Sequence, residues 1–540
     1  TAGPGTGTNE AGVGYATFTI NLPTTSGTRA GDPTFEAGDP KEYDVNDATL
    51  LIFKEAGSSE NDYTFVESVN LGSMAPWKDP SETGVTTHAK ITAKLNKINT
   101  TDKFYALVLL NNGTESSKKV DLPDDNQTFS AWNEAKVTDK IANTDAGFYM
   151  ANAPLYKANK VTTLVPIEST KIYPTEAQAA SNPSTDIYVE RGLAKVTVTS
   201  ASKATKTIAD GTYKDDKVTI QNWGLDVTNK KSFPVHKTDG TGYDDIWSNT
   251  ATPSGTNNAT TLRFVDNNTT TVAKRVYWGV DPNYNIAKLN AETTAGKKER
   301  TDNFNYVGKD KLTATTSDAQ YCLENTFNLD NMMQGQTTRV VFKAKYVPKG
   351  FTEGATFYMV GKNTAIWTED NLKDEIVAAV TKVVPSATTA NTTVDLANTE
   401  NDITKAGNHL LALSNISVTG VTLDQTNIDA INTKLGLKDG EGISTYQDAE
   451  AYYIARVKHF GVLTPWKAGQ SYGTDNLSFL GRYGVLRNNW YELTVDKVSG
   501  PGYPDVPEVK PNVPDDENFK YLSVSVKILS WAKWSHSYDL

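Results

Sequence analysis

The sequence predicts a mainly β protein of two tandem sandwiches carrying a few short helices. Three observations predict it. Short stretches with period-2 alternation recur along the 540 residues, separated by turn residues. Thr, Asn, Ser, Gly and Tyr are abundant and methionine is scarce, a composition that favours strands and turns over helices. The length exceeds what one hydrophobic core serves, so two or three domains are expected.

Residues 13–22 (VGYATFTINL) open the chain with a strand pattern. Ala16, Phe18, Ile20 and Leu22 fall on one face and Tyr15, Thr17, Thr19 and Asn21 on the other, as in a half-buried strand. The small, polar stretch PTTSGTRAGDP (23–33) follows, a composition where proteases nick. Arg29 is the first basic residue, and the next arginine is Arg191. An arginine-specific protease therefore has one target in this region, the Arg29–Ala30 bond, and its cut would release the strand.

Further strands are expected at 48–54 (ATLLIFK), 63–69, 88–95, 104–110 (FYALVLL) and 147–150. Residues 128–137 have helical spacing of Phe129, Trp132 and Val137, with Thr128 as the cap. The polar stretch 175–186 precedes IYVERGLAKVTV (187–198) and marks a domain boundary. Strands at 217–220, 262–265, 275–278, 338–345 and 355–360 then build a second sandwich with long polar loops such as 248–261. Helical spacing appears at 371–384 and 426–435, and 446–457 is read as a third helix. These helices are expected to decorate the sandwich.

Residues 490–498 (WYELTVDKV) alternate and close the second sheet. Residues 501–514 hold five prolines, which cannot join a central sheet and favour an extended tether. Beyond them, 521–531 (YLSVSVKILSW) alternates again, with Leu522, Val524, Val526 and Ile528 on one face and Trp531 at its end. The expected division is a leader with a removable strand (1–29), a first sandwich (30–185), a second with insertions (186–499), and a tether with a donor strand (500–540). An ordinary last strand folded back on its own domain is the plainer reading of 521–531, and 490–498 is the second candidate donor.

Composition and motifs exclude several function classes. Net charge is −11, which argues against a nucleic-acid partner, since phosphates demand a basic face. No apolar run approaches the length of a membrane-spanning helix. The one cysteine, Cys322, rules out an internal disulfide and a cysteine-based zinc site, and its strand context reads as a buried inert thiol. The five histidines are scattered, and no Gly-x-Ser-x-Gly elbow occurs. Gly3-Pro4-Gly5-Thr6-Gly7 lacks the strand and the Lys-Ser/Thr of a phosphate loop. Catalytic residues, cofactor and metal are all expected to be absent, and the protein is not expected to be an enzyme.

Several segments together resemble a known family. They are ATLLIFK (48–54), FYMAN (148–152), VERGLAKV (189–196), YCLENT (321–326), GVLRNNWY (484–491), GPGYP (500–504) and the terminal strand ending in Trp531. In this order they resemble the fimbrillins of Bacteroidales, which build type V pili; 200–310 and 365–460 carry little of that pattern. The resemblance implies two transthyretin-like β-sandwiches and export as a lipid-anchored outer-membrane precursor whose cysteine lies upstream of Thr1. It implies cleavage after Arg29 by an arginine-specific protease. The vacated groove would be filled by a strand from a neighbouring copy, giving a head-to-tail homopolymer at the cell surface. Accessory tip and anchor fimbrillins, and receptors on host or bacterial surfaces, are the other implied partners. Adhesion and biofilm formation are the implied roles. The alternatives are a monomeric or tip-located adhesin that binds glycans through exposed Tyr and Trp, and a secreted carbohydrate-active enzyme.

Overall fold

The structure is a computed structural model that describes residues 5–23, 39–72, 85–157, 160–239, 274–459, 480–515, 522–530 and 535–538. The first sandwich contains β1 (Gly14–Pro23), β2 (Ala48–Lys54), β3 (Thr64–Gly72), β4 (Val85–Leu95), β5 (Phe104–Leu110), β6 (Met150–Asn152) and β7 (Thr185–Arg191). Their order is β3-β2-β5-β6-β7-β1-β4. β7 serves both layers: residues 185–188 run parallel to β1, and residues 189–191 pair antiparallel with β6. Alternation places Ala16, Phe18, Ile20 and Leu22 in one core with Leu50, Ile52, Leu107 and Leu109. β2 and β5 read as unbroken apolar runs because both faces are covered. On the outer face lies α1 (Phe129–Ala135), whose Phe129 and Trp132 rings sit 5.7 and 6.5 Å from Phe53. Thr128 caps it as expected, its Oγ1 accepting the Ala131 N–H at 3.2 Å.

The second sandwich contains β8 (Leu193–Val198), β9 (Lys217–Asp226), β10 (Ala319–Leu323), β11 (Arg339–Val347), β12 (Phe357–Val360), β13 (Ile443–Tyr446), β14 (Glu450–Arg456), β15 (Asn489–Val498), β16 (Leu522–Ser530) and β17 (Ser535–Tyr538). One sheet runs β10-β8-β15-β16-β17 and the other β9-β11-β14, with Val196, Leu493, Val524, Phe342 and Tyr453 in the core between them. The segment 187–198 thus belongs to two strands in two sandwiches, broken at Gly192. A side chain at Gly192 would meet Ile141 at 2.8 Å and Tyr149 at 3.0 Å, so only glycine lets the chain cross there. The expected strand at 262–265 lies outside the described residues.

The helix expected at 446–457 is instead β13, a tight turn and β14. The turn places Asp448 and Ala449 at φ 52° and 64°. β14 looked helical because it does not alternate: Ala451 and Tyr453 face the main core while Tyr452 and Ile454 enter a second cluster with Leu312 and Val341. Burial on both faces erases the period of two.

β11 and β14 form a hairpin whose connection is a small domain. β12 and β13 pair antiparallel from Phe357↔Tyr446 to Val360↔Ile443. Phe357, Met359 and Tyr446 join the sandwich core, whereas Tyr358, Val360 and Ile443 join a separate one. That separate core is filled from α3 (Glu369–Val383), through Leu372, Ile376 and Val380, and from α4 (Gln425–Lys434), through Ile428 and Ile431. In chain order α2 (Thr294–Asn303) precedes them. Both helices sit where the sequence placed them. Because the insert's ends already meet, replacing residues 361–442 by a two-residue turn should leave the sandwich folded. The expected shift in Tm is under about 4 °C, the equivalent of ~1 kcal/mol for a domain of this size; loss of the cooperative transition would contradict a separately cored insert.

The proline-rich stretch is not a free tether along most of its length. Tyr503 exchanges both backbone hydrogen bonds with Tyr452, at 2.7 and 2.8 Å. Tyr453 donates its hydroxyl to the Gly500 carbonyl, Tyr446 to that of Gly502, and Arg339 to that of Pro507. Asp515 is buried, its carboxylate accepting from the Thr337 hydroxyl at 2.9 Å. Proline keeps the stretch out of the sheet, but its carbonyls remain good acceptors, and the neighbouring tyrosines and arginine use them.

Candidate strand-replacement site

β1 is an interior strand. It runs parallel to β7 over Phe18↔Thr185 to Asn21↔Tyr188, and antiparallel to β4 from Gly14↔Leu95 to Leu22↔Thr87. Ala16, Phe18, Ile20 and Leu22 are fully buried. The opposite face is more covered than a half-buried strand predicts, because the short helix Glu176–Ala180 packs against it. Thr17 and Asn21 are buried there, and Thr17 Oγ1 meets Thr92 Oγ1 at 2.8 Å. The entry to β1 is equally close: a side chain at Gly14 would lie 2.7 Å from both Ile172 and Ile98. Tyr15 and Tyr173 exchange backbone hydrogen bonds at 2.7 and 2.9 Å.

Only residues 24–38 join β1 to the rest of the sandwich, and the Arg29–Ala30 bond lies among them, outside the described residues. The chain is anchored again just beyond. The Glu42 carboxylate, with no exposed surface, accepts from Lys195 Nζ at 2.6 Å, the Tyr321 hydroxyl at 2.7 Å and the Asp39 N–H at 2.8 Å. Its carbonyl accepts from Arg191 Nε at 2.6 Å. Lys195 also lies 3.8 Å from the Trp490 ring centroid. A cut after Arg29 would therefore leave the chain from Asp39 onward fastened between the two sandwiches, and β1 held to them by noncovalent contacts alone. Burial of Phe18, Ile20 and Leu22 contributes roughly 5–9 kcal/mol, Ala16 adding little, so cutting does not expel β1 unaided.

The same junction holds a second buried ionic group that sequence reasoning missed. Arg487 donates to Glu324 Oε1 at 3.0 Å through Nε and at 2.6 Å through a terminal nitrogen. It also donates to Ser232 Oγ and the Phe233 carbonyl, which belong to the segment packed on the first sandwich. Burial alone would raise the Glu324 carboxyl; the Arg487 guanidinium overrides it and holds the group below the ordinary value. His236 bridges Glu190 Oε1 and the Trp278 carbonyl, each at 2.8 Å. The signal was in the sequence: Glu190, Arg191 and Lys195 interrupt an apolar strand run, where charges are kept only when paired.

At the other end, β16 pairs antiparallel with β15 of its own sandwich, from Val498↔Leu522 through Val495↔Val524 and Leu493↔Val526 to Tyr491↔Ile528. Val524 is fully buried in that core. Trp531 lies outside the described residues. The second candidate donor, 490–498, is β15 itself, bonded on one side by β8 and on the other by β16, which in turn pairs with β17. Among the described residues Trp132, Trp223 and Trp278 are core residues, and Tyr188 and Tyr306 are the exposed large aromatics; Trp77, Trp247, Trp466, Trp531 and Trp534 lie outside the described residues. Cys322 is buried and its thiol pushed up to about 12 by burial, as an inert core residue should be. Among the described residues no cluster of His, Cys, Asp or Glu has metal-binding geometry, and no helix is long and apolar enough to cross a membrane.

Fold and site together define a mainly β protein of two sandwiches, the first completed by a strand that a single linker attaches. Residues 444–537, which include β14, β15 and β16, match the family described as major fimbrial subunit protein type IV, fimbrillin, C-terminal. The C-terminal region is thus similar to the C-terminal domain of fimbrillins, a family of fimbrial subunits. Similar solved structures include a candidate cell adhesion protein of Bacteroides eggerthii (12% identity, 99% of each chain, TM-score 0.35). A fimbrial assembly protein of Parabacteroides distasonis is another (11% identity, 65% of this chain and 93% of that one, TM-score 0.28). So is the C-terminally truncated tip fimbrial protein Mfa3 of Porphyromonas gingivalis (12% identity, 96% of this chain and 100% of that one, TM-score 0.25). No curated protein matches the chain.

Proposed function

We propose that the protein is a fimbrial shaft subunit that polymerises when proteolysis permits β1 to be replaced by a strand from the next copy. The observation that carries this reading is the position of β1, interior and fully buried yet attached through one linker that contains Arg29. Cleavage after Arg29 leaves β1 exchangeable. An incoming strand with apolar residues at every second position finds the edges of β7 and β4 as hydrogen-bonding partners and the core as its side-chain pockets. Leu522, Val524, Val526 and Ile528 of β16 reproduce the spacing of Ala16, Phe18, Ile20 and Leu22.

Donation requires β16 to leave β15. With residues up to Asp515 pinned, donation has to be made by the segment 516–540, whose contour is about 80–90 Å when extended, more than enough to reach a neighbouring copy. The contact is head-to-tail and propagates as an open filament. Export as a lipid-anchored precursor, processing by an arginine-specific protease, and association with accessory tip and anchor subunits complete this reading. The filament would act at the cell surface in adhesion and biofilm formation through host or bacterial receptors.

One observation favours the alternative, a monomeric or tip-located adhesin: β16 is already housed in its own sheet, as a subunit that donates nothing would have it. Truncation after Asp516 separates the two. The shaft reading expects the truncated, protease-treated protein to stay folded, by circular dichroism, and to form no filaments in electron micrographs. Filaments at wild-type yield would remove β16 as donor. Filaments from neither protein would favour the adhesin.

A further inference from the structure

We infer that the seam between the two sandwiches carries a binding cleft for a polyanionic glycan, one bearing sulfate or carboxylate groups. The cleft has a volume of about 530 Å³ and receives Lys119, Lys136 and Lys140 from the first sandwich and Lys230 and Lys231 from the second. In a chain with 53 basic and 64 acidic side chains, five lysines around one cavity is the reverse of the average surface. Three acids line it too, Asp121, Asp139 and Asp302, but Lys298 already pairs with Asp302 at 2.5 Å.

The floor is fixed. Thr138 and Ser232 exchange backbone hydrogen bonds in both directions, at 3.0 and 2.9 Å, tying the first sandwich to the second beneath the lysines. Two of the five ammonium groups are spent on carbonyls: Lys119 donates to Gly147 at 2.5 Å and Lys230 to Thr301 at 2.8 Å. Lys136, Lys140 and Lys231 form no salt bridge among the described residues and lie on both walls. A ligand with two or three separated anionic groups would meet all three, in a cleft whose walls focus their field.

The lining decides the ligand class. It has no aromatic side chain, so neither a neutral sugar nor an unpaired base finds a stacking surface. The floor amides are bonded to each other, so a peptide finds no strand edge to extend. A nucleic-acid duplex would present phosphates well beyond the cleft to a protein of net charge −11. A short run of charged sugars fits the volume of a small-molecule site and needs only the lysines. The cleft is independent of strand replacement, since none of its residues belongs to β1, β4, β7 or β16.

The test is a calorimetric titration of the intact, uncleaved chain with a sulfated heparin hexasaccharide and with a hexa-uronate. Lys136→Glu/Lys140→Glu/Lys231→Glu is compared with a control that reverses Lys373 and Lys382 on α3. Binding is expected to weaken at least tenfold in the cleft variant, to hold in the control, and to weaken several-fold when salt rises from 50 to 200 mM. Unchanged melting curves, or the same loss in a Lys→Gln triple, separate loss of the site from loss of the fold. No binding of either oligosaccharide to the wild type, equal binding by the cleft variant, or equally tight binding of a DNA duplex or a polyglutamate peptide would overturn the proposal.

Discussion

Arg29→Ala is expected to give a stable monomer that forms no filaments after exposure to an arginine-specific protease, under conditions in which the wild type is fully polymerised. The reason is competition for one slot. While the linker is intact, β1 is present at an effective concentration in the millimolar range, set by a short tether. An incoming strand at micromolar concentration is disfavoured by about a thousandfold, or ~4 kcal/mol, before any difference in fit. Cutting the linker removes that advantage and makes loss of β1 irreversible by dilution. Phe18→Ala sharpens the test. With a fully buried ring truncated, the uncut chain should lose about 3–5 kcal/mol of stability in a denaturant melt. The filament, from which the strand is gone, should melt as the wild type does. A filament weakened to the same degree would show that β1 remains in place.

Arg487→Met should destabilise the junction by about 3–5 kcal/mol, because it leaves the Glu324 carboxylate without exposed surface and without its charged partner, holding only the long contact from the residue 487 backbone N–H. Arg487→Met with Glu324→Met should recover much of the loss, since removing both charges also removes their desolvation cost. Equal melts for single and double variants would mean that the guanidinium's carbonyl contacts matter more than the ion pair. The pair also sets a pH dependence with a definite sign. The folded-state value of Glu324 lies below its ordinary 4.5, so its stabilisation is complete above that value and is lost as pH falls through the lower folded value. In Glu324→Gln this acid-side loss should shrink, as read by urea melts between pH 3 and 6.

Elements with a clear period or a short apolar run are legible in the sequence, and β14, buried on two faces beside a tight turn, is not. β1, α1, α3, α4 and β15 lie within a few residues of their expected places because their apolar side chains recur at a fixed spacing, and β2 and β5 because their apolar runs are short and rich in branched and aromatic residues. β14 was misread because Ala451, Tyr452, Tyr453 and Ile454 are all buried, between two clusters. The domain boundary was placed a few residues early because 187–198 is a single pattern in sequence, and only the close approach of Ile141 and Tyr149 to Gly192 breaks it. The candidate site was legible in part. The alternation of 13–22 and the isolation of Arg29 needed no coordinates, whereas the anchor at Glu42 joins residues as far apart as 279 positions and leaves no local trace.

By itself the sequence determined that this chain is mainly β, that its first strand alternates, that a lone arginine follows it, and that a matching strand lies near the other end. These are local properties, written in the spacing of side chains. Tertiary structure alone decided that β1 is interior, with β7 on one side and β4 on the other. It also decided that the prolines at 501–514 lie pinned by tyrosine hydroxyls and Arg339, and that β16 rests against β15. Each is a question of which backbone groups find which partners, and partners from distant parts of the chain are chosen only when the whole core closes.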